Sequence, residues 1–161
     1  MKILSLDCSS KSTGVALFKD KELLYYDCIT ASSTDLIKRI NKMVENIEKI
    51  IIENKDIDKI IMEEVIPSTG KNIKTWKALI YLQASLMILF HNKYPSISVE
   101  LIYPNSWRSK IGISTGRGIT RDQLKEQDIN FVKEHYNITV NDDIADAICI
   151  GHSNINTSFV Q

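Results

Sequence analysis

Four acidic residues of this 161-residue chain lie where they could share one chemical task. Asp7 and Glu63 each end an apolar run that is typical of a strand, and neighbouring strands of one sheet would bring them together. Asp143 and Asp146 are three residues apart, so both would lie on one face of a helix. Because acids are disfavoured in strands and costly to bury without a partner, this arrangement calls for a cation or a proton.

The donor type indicates which cation. Several carboxylate oxygens without a supporting His or Cys cluster suit a hard ion such as Mg²⁺ or Mn²⁺. Four carboxylates can hold two ions about 3.5–4 Å apart, which together activate a water and stabilise the leaving oxygen in phosphodiester hydrolysis. The sequence therefore favours metal-assisted cleavage of a phosphodiester.

Two assignments and one structural alternative stay open. Glu64 can take the place of Glu63, and Asp142 can take the place of Asp143. In the structural alternative, Asp142 or Asp143 caps the last helix and Glu63 is exposed at an edge of the sheet. Acids at two strand ends together with an acidic pair on a helix favour the metal site.

The elements that must position these acids follow from the apolar pattern. The predicted strands cover residues 2–6, 13–18, 22–29, 58–65 and 98–103. The predicted helices cover residues 35–51, capped by Ser33 or Thr34, then 72–92, 120–136 and 142–150. Residues 105–119, rich in glycine, are predicted as a loop with a short helix at its start. An antiparallel meander followed by alternating helices and strands predicts an α/β fold with a mixed five-stranded sheet between helices.

Positive charge is concentrated in two segments, although Lys plus Arg and Asp plus Glu both total 20 over the whole chain. Lys71, Lys74 and Lys77 recur every three residues and so share one helix face. Between residues 104 and 125 a single acid accompanies five cations, which are Arg108, Lys110, Arg117, Arg121 and Lys125. Cations that neutralise phosphates supply most sequence-independent affinity for DNA, so these segments predict a DNA-binding surface. The alternative is a solvated helix face and a flexible loop.

The amino-acid composition indicates a single-domain globular protein of the cell interior. With 43% hydrophobic and 25% charged residues, the chain is ordinary globular protein, and we expect one domain over residues 1–161. Three cysteines without a CxxC pair indicate reduced thiols in an intracellular protein. Asp7 ends the N-terminal apolar run too early for a signal peptide. The apolar stretch 78–90 is shorter than the roughly 20 residues of a membrane span, so we expect no membrane association.

Three stretches resemble the motifs of one family. Residues 3–14 (ILSLDCSSKSTG) resemble the opening strand of RuvC-type Holliday junction resolvases, residues 61–66 (IMEEVI) resemble their second acidic strand, and residues 143–148 (DIADAI) resemble their Asp-x-x-Asp-Ala helix. The order and spacing match the family along nearly its usual length. The resemblance implies a ribonuclease H-like fold and assigns two Mg²⁺ ions, replaceable by Mn²⁺, to Asp7, Glu63, Asp143 and Asp146.

The resemblance also implies a function. It predicts a Mg²⁺-dependent, structure-specific endodeoxyribonuclease that resolves four-way junctions and other branched DNA in recombination and repair, leaving 5′-phosphate and 3′-hydroxyl ends. A homodimer, as in the family, would match the two-fold symmetry of the junction, and the predicted helix 72–92 is apolar on more than one side. Arg108 and Arg121 fall near basic positions that contact DNA close to the scissile phosphate. The other predicted DNA contacts are Lys71, Lys74, Lys110 and Arg117.

The chain also departs from the family pattern. Cys8 and Ser9 stand where bacterial members usually have Pro-Gly, and Ile66 stands where an aromatic residue often follows the second acid. These differences indicate a divergent branch, such as the phage or viral resolvases, and we expect a cytoplasmic protein of a bacterial cell or of its phage. Two other functions are compatible with the acids: a nuclease acting on RNA or an RNA–DNA hybrid, and a non-catalytic module that binds branched DNA. The intact acids argue against the second.

Overall fold

In the computed structural model, which describes residues 1–66 and 72–155, five strands form one mixed sheet. The strands are β1 (Lys2–Asp7), β2 (Ser12–Lys19), β3 (Glu22–Thr30), β4 (Lys59–Glu63) and β5 (Ser98–Ile102). Their order across the sheet is β3-β2-β1-β4-β5. The first three form the predicted antiparallel meander, while β4 pairs in parallel with β1, and β5 pairs in parallel with β4. The predicted α/β architecture is confirmed.

Helices cover both faces of this sheet because successive strand residues point to opposite sides. The helices are α1 (Leu36–Glu53), α2 (Ile73–Lys93), α3 (Pro104–Lys110), α4 (Arg121–Tyr136) and α5 (Asp142–Ile155). Leu4 and its neighbours on one face pack against α1 and α2. Ile3 and its neighbours on the other face pack against residues of α3, α4 and α5. The acid-bearing helix α5 therefore lies on the face opposite to α1 and α2.

The capping residues of two helices differ from those considered in the sequence, although α5 begins at residue 142 as predicted. Asp35, rather than Ser33 or Thr34, caps α1, since its side chain accepts the backbone N–H of Lys38 at 3.0 Å. At α5 the Oδ1 atom of Asn141 accepts the backbone N–H three residues later at 2.9 Å, which is the capping hydrogen bond. The acids that follow Asn141 are therefore not needed as caps.

Helix α5 lies very close to β1 and β2. A Cβ atom on Gly14 would come within 1.8 Å of the carbonyl oxygen of Asp143, and one on Gly151 would come within 2.2 Å of a buried phenylalanine ring of β2. The hydroxyl of Ser5 on β1 donates to the carbonyl oxygen of Ala147 at 2.7 Å. These contacts fix the first turns of α5 against the strands, so its acids have a defined place relative to the end of β1.

Helix α2 extends beyond the apolar stretch 78–90 at both ends and agrees with the predicted helix 72–92 to within one residue. With 21 residues, it is long and apolar enough to cross a membrane by length and composition alone, which by itself is weak evidence for a membrane span. In this fold Leu82, Leu86 and Phe90 are buried in the core. Only 28% of the apolar window of α2 is buried, so the helix packs on the core with one face and exposes apolar residues on the other.

Candidate active site

The four predicted acids meet at one end of the sheet. The parallel register of β1 and β4 puts Asp7 and Glu63 side by side at the carboxyl ends of neighbouring strands. On the other side Asp7 pairs with Gly14 of β2, against which the backbone of Asp143 lies. Asp146 follows one helical turn later. Strand register and the close approach of α5 together build this cluster.

Burial and the repulsion between neighbouring acids raise the pKa of two carboxyl groups in the cluster. Burial, followed by the nearby charges of Glu63 and Asp143, raises the pKa of Asp7 well above its usual value. Burial, followed by the charges of Asp7 and Asp128, raises the pKa of Asp146 in the same direction. Carboxylates this close to one another need a proton or a cation between them.

Glu63, rather than Glu64, is the strand-end acid that acts on Asp7. The charge of Glu63 raises the pKa of Asp7. The Oε2 atom of Glu63 accepts a hydrogen bond from the indole Nε1 of Trp107 at 2.9 Å, which ties β4 to α3. Glu64 follows the end of β4, where its backbone N–H donates to the carbonyl oxygen of Ile102 at 2.9 Å. The geometry thus favours Glu63 of the two alternatives.

Asp143 and Asp142 have different partners. The Oδ2 atom of Asp143 accepts a hydrogen bond from the hydroxyl of Ser12 at the start of β2. The Oδ2 atom of Asp142 forms an ion pair with Lys125 of α4, and the hydrogen bond from Lys125 lowers the pKa of Asp142. Both acids raise the pKa of Asp7, and Asp143 does so more strongly. Asp143 is therefore the more closely coupled member of the pair.

Arg108 lies inside the cluster. Its guanidinium donates hydrogen bonds of 2.8 and 3.3 Å to Oδ2 of Asp128, and its Nη2 is 3.7 Å from Oδ2 of Asp146. The guanidinium carbon lies 4.0 Å from the centre of the Trp107 ring. Arg108 is only 9% exposed, so in this structure it acts as an internal counter-charge. Its predicted contact with DNA stays a prediction, and that contact would require the guanidinium to leave Asp128.

The other predicted DNA contacts lie at the surface. The exposed members are Lys74, Lys110, Arg117 and Arg121, while Lys71 lies outside the described residues. The charge of Arg121 acts on Lys125, which is itself paired with the acid next to Asp143. Arg121 therefore lies close enough to Lys125 to act on it electrostatically at the edge of the acidic cluster.

Three residues of the site were not singled out in the sequence. Asp128 could have been recognised from the sequence, because it lies between Leu124 and Phe131 at the helical spacing of the buried face of α4, where an acid is unusual. No sequence pattern marks Trp107 or Ser12 as part of the site. Their roles depend on contacts with acids more than forty residues away in the chain.

The donor set fits a hard divalent cation in chemical type. All four candidate ligands are carboxylates, and the buried Oδ1 of Asp146 has no hydrogen-bond partner in the described part of the chain. Within that part, however, no three acidic, His or Cys side chains converge into a ready coordination set. Glu63, Asp143 and Asp146 are turned toward the indole, hydroxyl and guanidinium described above. Each of these donors engages a single oxygen of its carboxylate, so a metal ion could be bound with the donors in place once the acids turn toward one another.

Solved structures of Holliday junction resolvases share this fold. RuvC from Thermus thermophilus, in complex with a Holliday junction substrate, matches with a TM-score of 0.74 at 10% identity, over 95% of this chain and 92% of that one. The yeast mitochondrial Holliday junction resolvase matches with a TM-score of 0.64 at 14% identity, over 95% of this chain and 77% of that one. Fowlpox virus resolvase, in complex with Holliday junction DNA, matches with a TM-score of 0.57 at 16% identity, over 95% and 97%.

The chain has the fold of the RuvC-type Holliday junction resolvases. This confirms, at the level of fold, the resemblance drawn from the three motifs and the ribonuclease H-like architecture that it implied. No family model and no curated protein sequence matches the chain. The relationship is therefore carried by the fold, and the activity has to be argued from the residues at the site.

Proposed function

We propose that residues 1–161 form one nuclease domain, a divalent-metal-dependent endodeoxyribonuclease that resolves Holliday junctions and other branched DNA. The observation that carries the proposal is the meeting of Asp7, Glu63, Asp143 and Asp146 at one end of the sheet. The fold supports it, since solved structures with this fold include resolvases in complex with Holliday junction DNA. The protein would act in the cytoplasm of a bacterial cell, on cellular or phage DNA.

The same four acids would hold two Mg²⁺ ions, with Mn²⁺ as a substitute. When bound, the ions would activate the attacking water and stabilise the leaving oxygen, giving 5′-phosphate and 3′-hydroxyl ends. The protein's part is to hold the acids in place. The hydroxyl of Ser12 orients Asp143, the indole of Trp107 orients Glu63, and the guanidinium of Arg108 lies beside Asp146. Such outer partners usually matter for metal affinity.

Exposed cations would bind the DNA backbone around the acids. Lys74 lies in the first turn of α2, and Lys110, Arg117 and Arg121 lie on or beside the loop between α3 and α4. Lys71 would extend the group on α2. Because the net charge of the chain is zero, this local positive charge is what would draw the polyanion to the site, and binding should weaken steeply with salt.

We also propose a homodimer through the outer face of α2. Ile73, Tyr81 and Ile88 are exposed, Ile88 by 61%, and helical spacing puts them on the side opposite to the buried Leu82 and Leu86. An apolar stripe of this kind marks an interaction surface. A second copy would place two acidic clusters on one four-way junction. Light scattering should give a dimer at micromolar concentration and a monomer for Ile88→Glu; a wild-type monomer would overturn the proposal.

The function is tested by offering three labelled substrates with Mg²⁺: a synthetic four-way junction, the matched linear duplex and an RNA–DNA hybrid. The proposal predicts paired, symmetric nicks in the junction, with the duplex spared and no reaction in EDTA. Cleavage of the hybrid alone would make the protein an RNA nuclease. Tight junction binding without cleavage in Mg²⁺ or Mn²⁺ would make it a binding module.

A further inference from the structure

A second polar site lies beside the acidic cluster, on the side of the sheet that carries α1 and α2. It is a pocket of about 360 Å³. Three cations from three separate segments line it: Lys11 from the turn between β1 and β2, Arg39 from α1 and Lys74 from the first turn of α2. Apart from these cations, the lining is hydroxyl-bearing or apolar, and none of the described lining residues is acidic.

The three positive charges have no carboxylate partner within residues 1–66 and 72–155. Among the described residues, neither Lys11, Arg39 nor Lys74 forms an ion pair. The Nε of Arg39 donates to the hydroxyl of Ser10 at 3.2 Å, and its Nη1 donates to the backbone carbonyl of Ser33. These neutral acceptors fix the guanidinium without neutralising it. Like charges brought together in this way repel one another until an anion joins them.

The hydroxyls and the helix end add to the preference for an anion. Ser10 is buried, and because its oxygen accepts from Arg39, its own proton is available to another acceptor. Ser9 and Thr75 bring two further hydroxyls. No acid lies in the first turn of α2, and the neutral amide of Asn72 caps it by accepting the Lys74 N–H at 2.9 Å, so no negative charge in that turn offsets the partial positive charge of the helix end. Cations and hydroxyls around one pocket suit the oxygens of a phosphate group.

The pocket lies within a short distance of the candidate catalytic acids. Ser9 follows Asp7 by two residues, and the turn is fixed because Ser9 N–H donates to the hydroxyl oxygen of Thr13 at 3.1 Å and that hydroxyl donates back to the Ser9 carbonyl at 2.8 Å. Three residues of chain reach at most about 11 Å, which limits the distance from Asp7 to Ser10. A DNA strand advances about 3.4 Å per nucleotide, so Ser10, at the wall of the pocket nearest in sequence to the acids, is within about three nucleotides of Asp7.

We infer that this pocket binds a backbone phosphodiester of the strand that enters the acidic cluster, one to three nucleotides from the bond to be cut. The inference rests on the proposed function for the identity of the strand and adds Lys11 and Arg39 to its contacts. The pocket holds the strand in register while the acids act. Its ligand is the phosphodiester group itself, so it carries no preference for a base.

The test compares charge-removing variants by the salt dependence of binding. Affinity for a labelled four-way junction is measured in EDTA over a range of salt concentrations for wild type, Lys11→Gln, Arg39→Gln and Lys38→Gln. Lys38 is the matched control, since it is exposed on the same helix and does not line the pocket. Lys11→Gln and Arg39→Gln should each reduce the slope of log K against log salt by about 0.9, and Lys38→Gln should leave it unchanged.

A second readout locates the phosphate. Junctions carrying one uncharged methylphosphonate at successive positions near the nick should weaken wild-type binding at one position in particular. At that position the methylphosphonate should reduce the junction affinity of Lys11→Gln by a smaller factor than it reduces the affinity of wild type. Because Lys11 makes no side-chain hydrogen bond within the described residues, this variant keeps the test valid even if Arg39→Gln loosens the turn.

The outcomes separate the pocket from the function. If wild type nicks the junction but the salt slope is unchanged in both variants, the proposed phosphate-binding role of the pocket is wrong and the proposed resolvase function still holds. A wild type that ignores the junction but binds an RNA–DNA hybrid, with slopes reduced by the variants, would support the pocket and overturn the proposed substrate. A wild type that binds neither nucleic acid would overturn both.

Discussion

The ion pair between Asp128 and Arg108 allows a quantitative test of how the site is held together. Replacing Asp128 by alanine removes the oxygen that accepts both guanidinium hydrogen bonds, at 2.8 and 3.3 Å. The Asp128 side chain is fully buried, and that of Arg108 is only 10% exposed, so water cannot take over these bonds in the native fold. The nearest remaining counter-charge is Asp146, whose Oδ2 lies 3.7 Å from the guanidinium.

Removing one partner of a buried ion pair usually costs about 3–5 kcal/mol, because the other charge is left without compensation. Removing Asp128 also removes one of the causes that raise the pKa of Asp146, which favours the charged form of Asp146 beside Arg108, so we expect the lower end, about 3 kcal/mol. For a chain of this size each kcal/mol lowers Tm by about 2–4 °C, which gives a fall of about 6–12 °C. Asp128→Asn keeps a hydrogen-bond acceptor and should fall between wild type and Asp128→Ala.

Urea and thermal unfolding of the purified variants measure the effect. Lys93→Ala is the matched control, since it breaks an ion pair of similar length, 3.0 Å to Glu48, in which the lysine is 60% exposed. Exposed pairs contribute about 0–1 kcal/mol, so this variant should remain close to wild type. If Asp128→Ala lowered the free energy of unfolding no more than Lys93→Ala does, the reasoning about the buried pair would be refuted.

Three further predictions concern the acids and their placement. Gly14→Ala, whose Cβ would lie 1.8 Å from the Asp143 carbonyl oxygen, should destabilise the fold by about 1–3 kcal/mol and lower junction cleavage. Gly116→Ala, whose Cβ would have no neighbour within 4 Å among the described residues, should change neither. Equal thermal stability and equal nicking rates in the two variants would contradict the close approach of α5. Glu63→Gln should lower the nicking rate by more than the roughly 10–100-fold typical of outer partners, and Glu64→Gln should leave the rate near wild type; the reverse order would reassign the ligand. Mg²⁺ should raise Tm, with a stabilisation of about 2.7 kcal/mol at a hundredfold excess over Kd, and a Tm that ignores Mg²⁺ in calorimetry would argue against a metal site.

The elements and the acids could be predicted because their signals are local. Apolar, β-rich runs bounded by turn residues located the strands, and helical spacing located α1, α2, α4 and α5 to within a few residues. The strand-end position of Asp7 and Glu63 was readable for the same reason. The cap of α1 was wrong by one residue, since Ser33, Thr34 and Asp35 all have side chains that can cap a helix.

The remaining features depend on packing between distant segments. The sequence pattern marked Gly14 as part of a motif, and only the fold brings it against Asp143. Arg108 was grouped with the DNA-binding cations because it belongs to the basic segment 104–125, yet α3 turns it inward toward Asp128. The pocket lined by Lys11 has no local pattern, since its walls come from three elements. Contacts of this kind cannot be predicted from periodicity.

The central claim is that the acids at the end of the sheet cut the junction, and Asp7→Asn tests it most directly. Asn has nearly the shape of a protonated Asp, and burial with nearby acids already raises the pKa of Asp7, so the variant should fold normally. Nicking of a labelled four-way junction in Mg²⁺ and its binding in EDTA are measured on the same protein. The account predicts that nicking is abolished while the affinity for the junction is kept. Junction nicking at the wild-type rate by Asp7→Asn would contradict it.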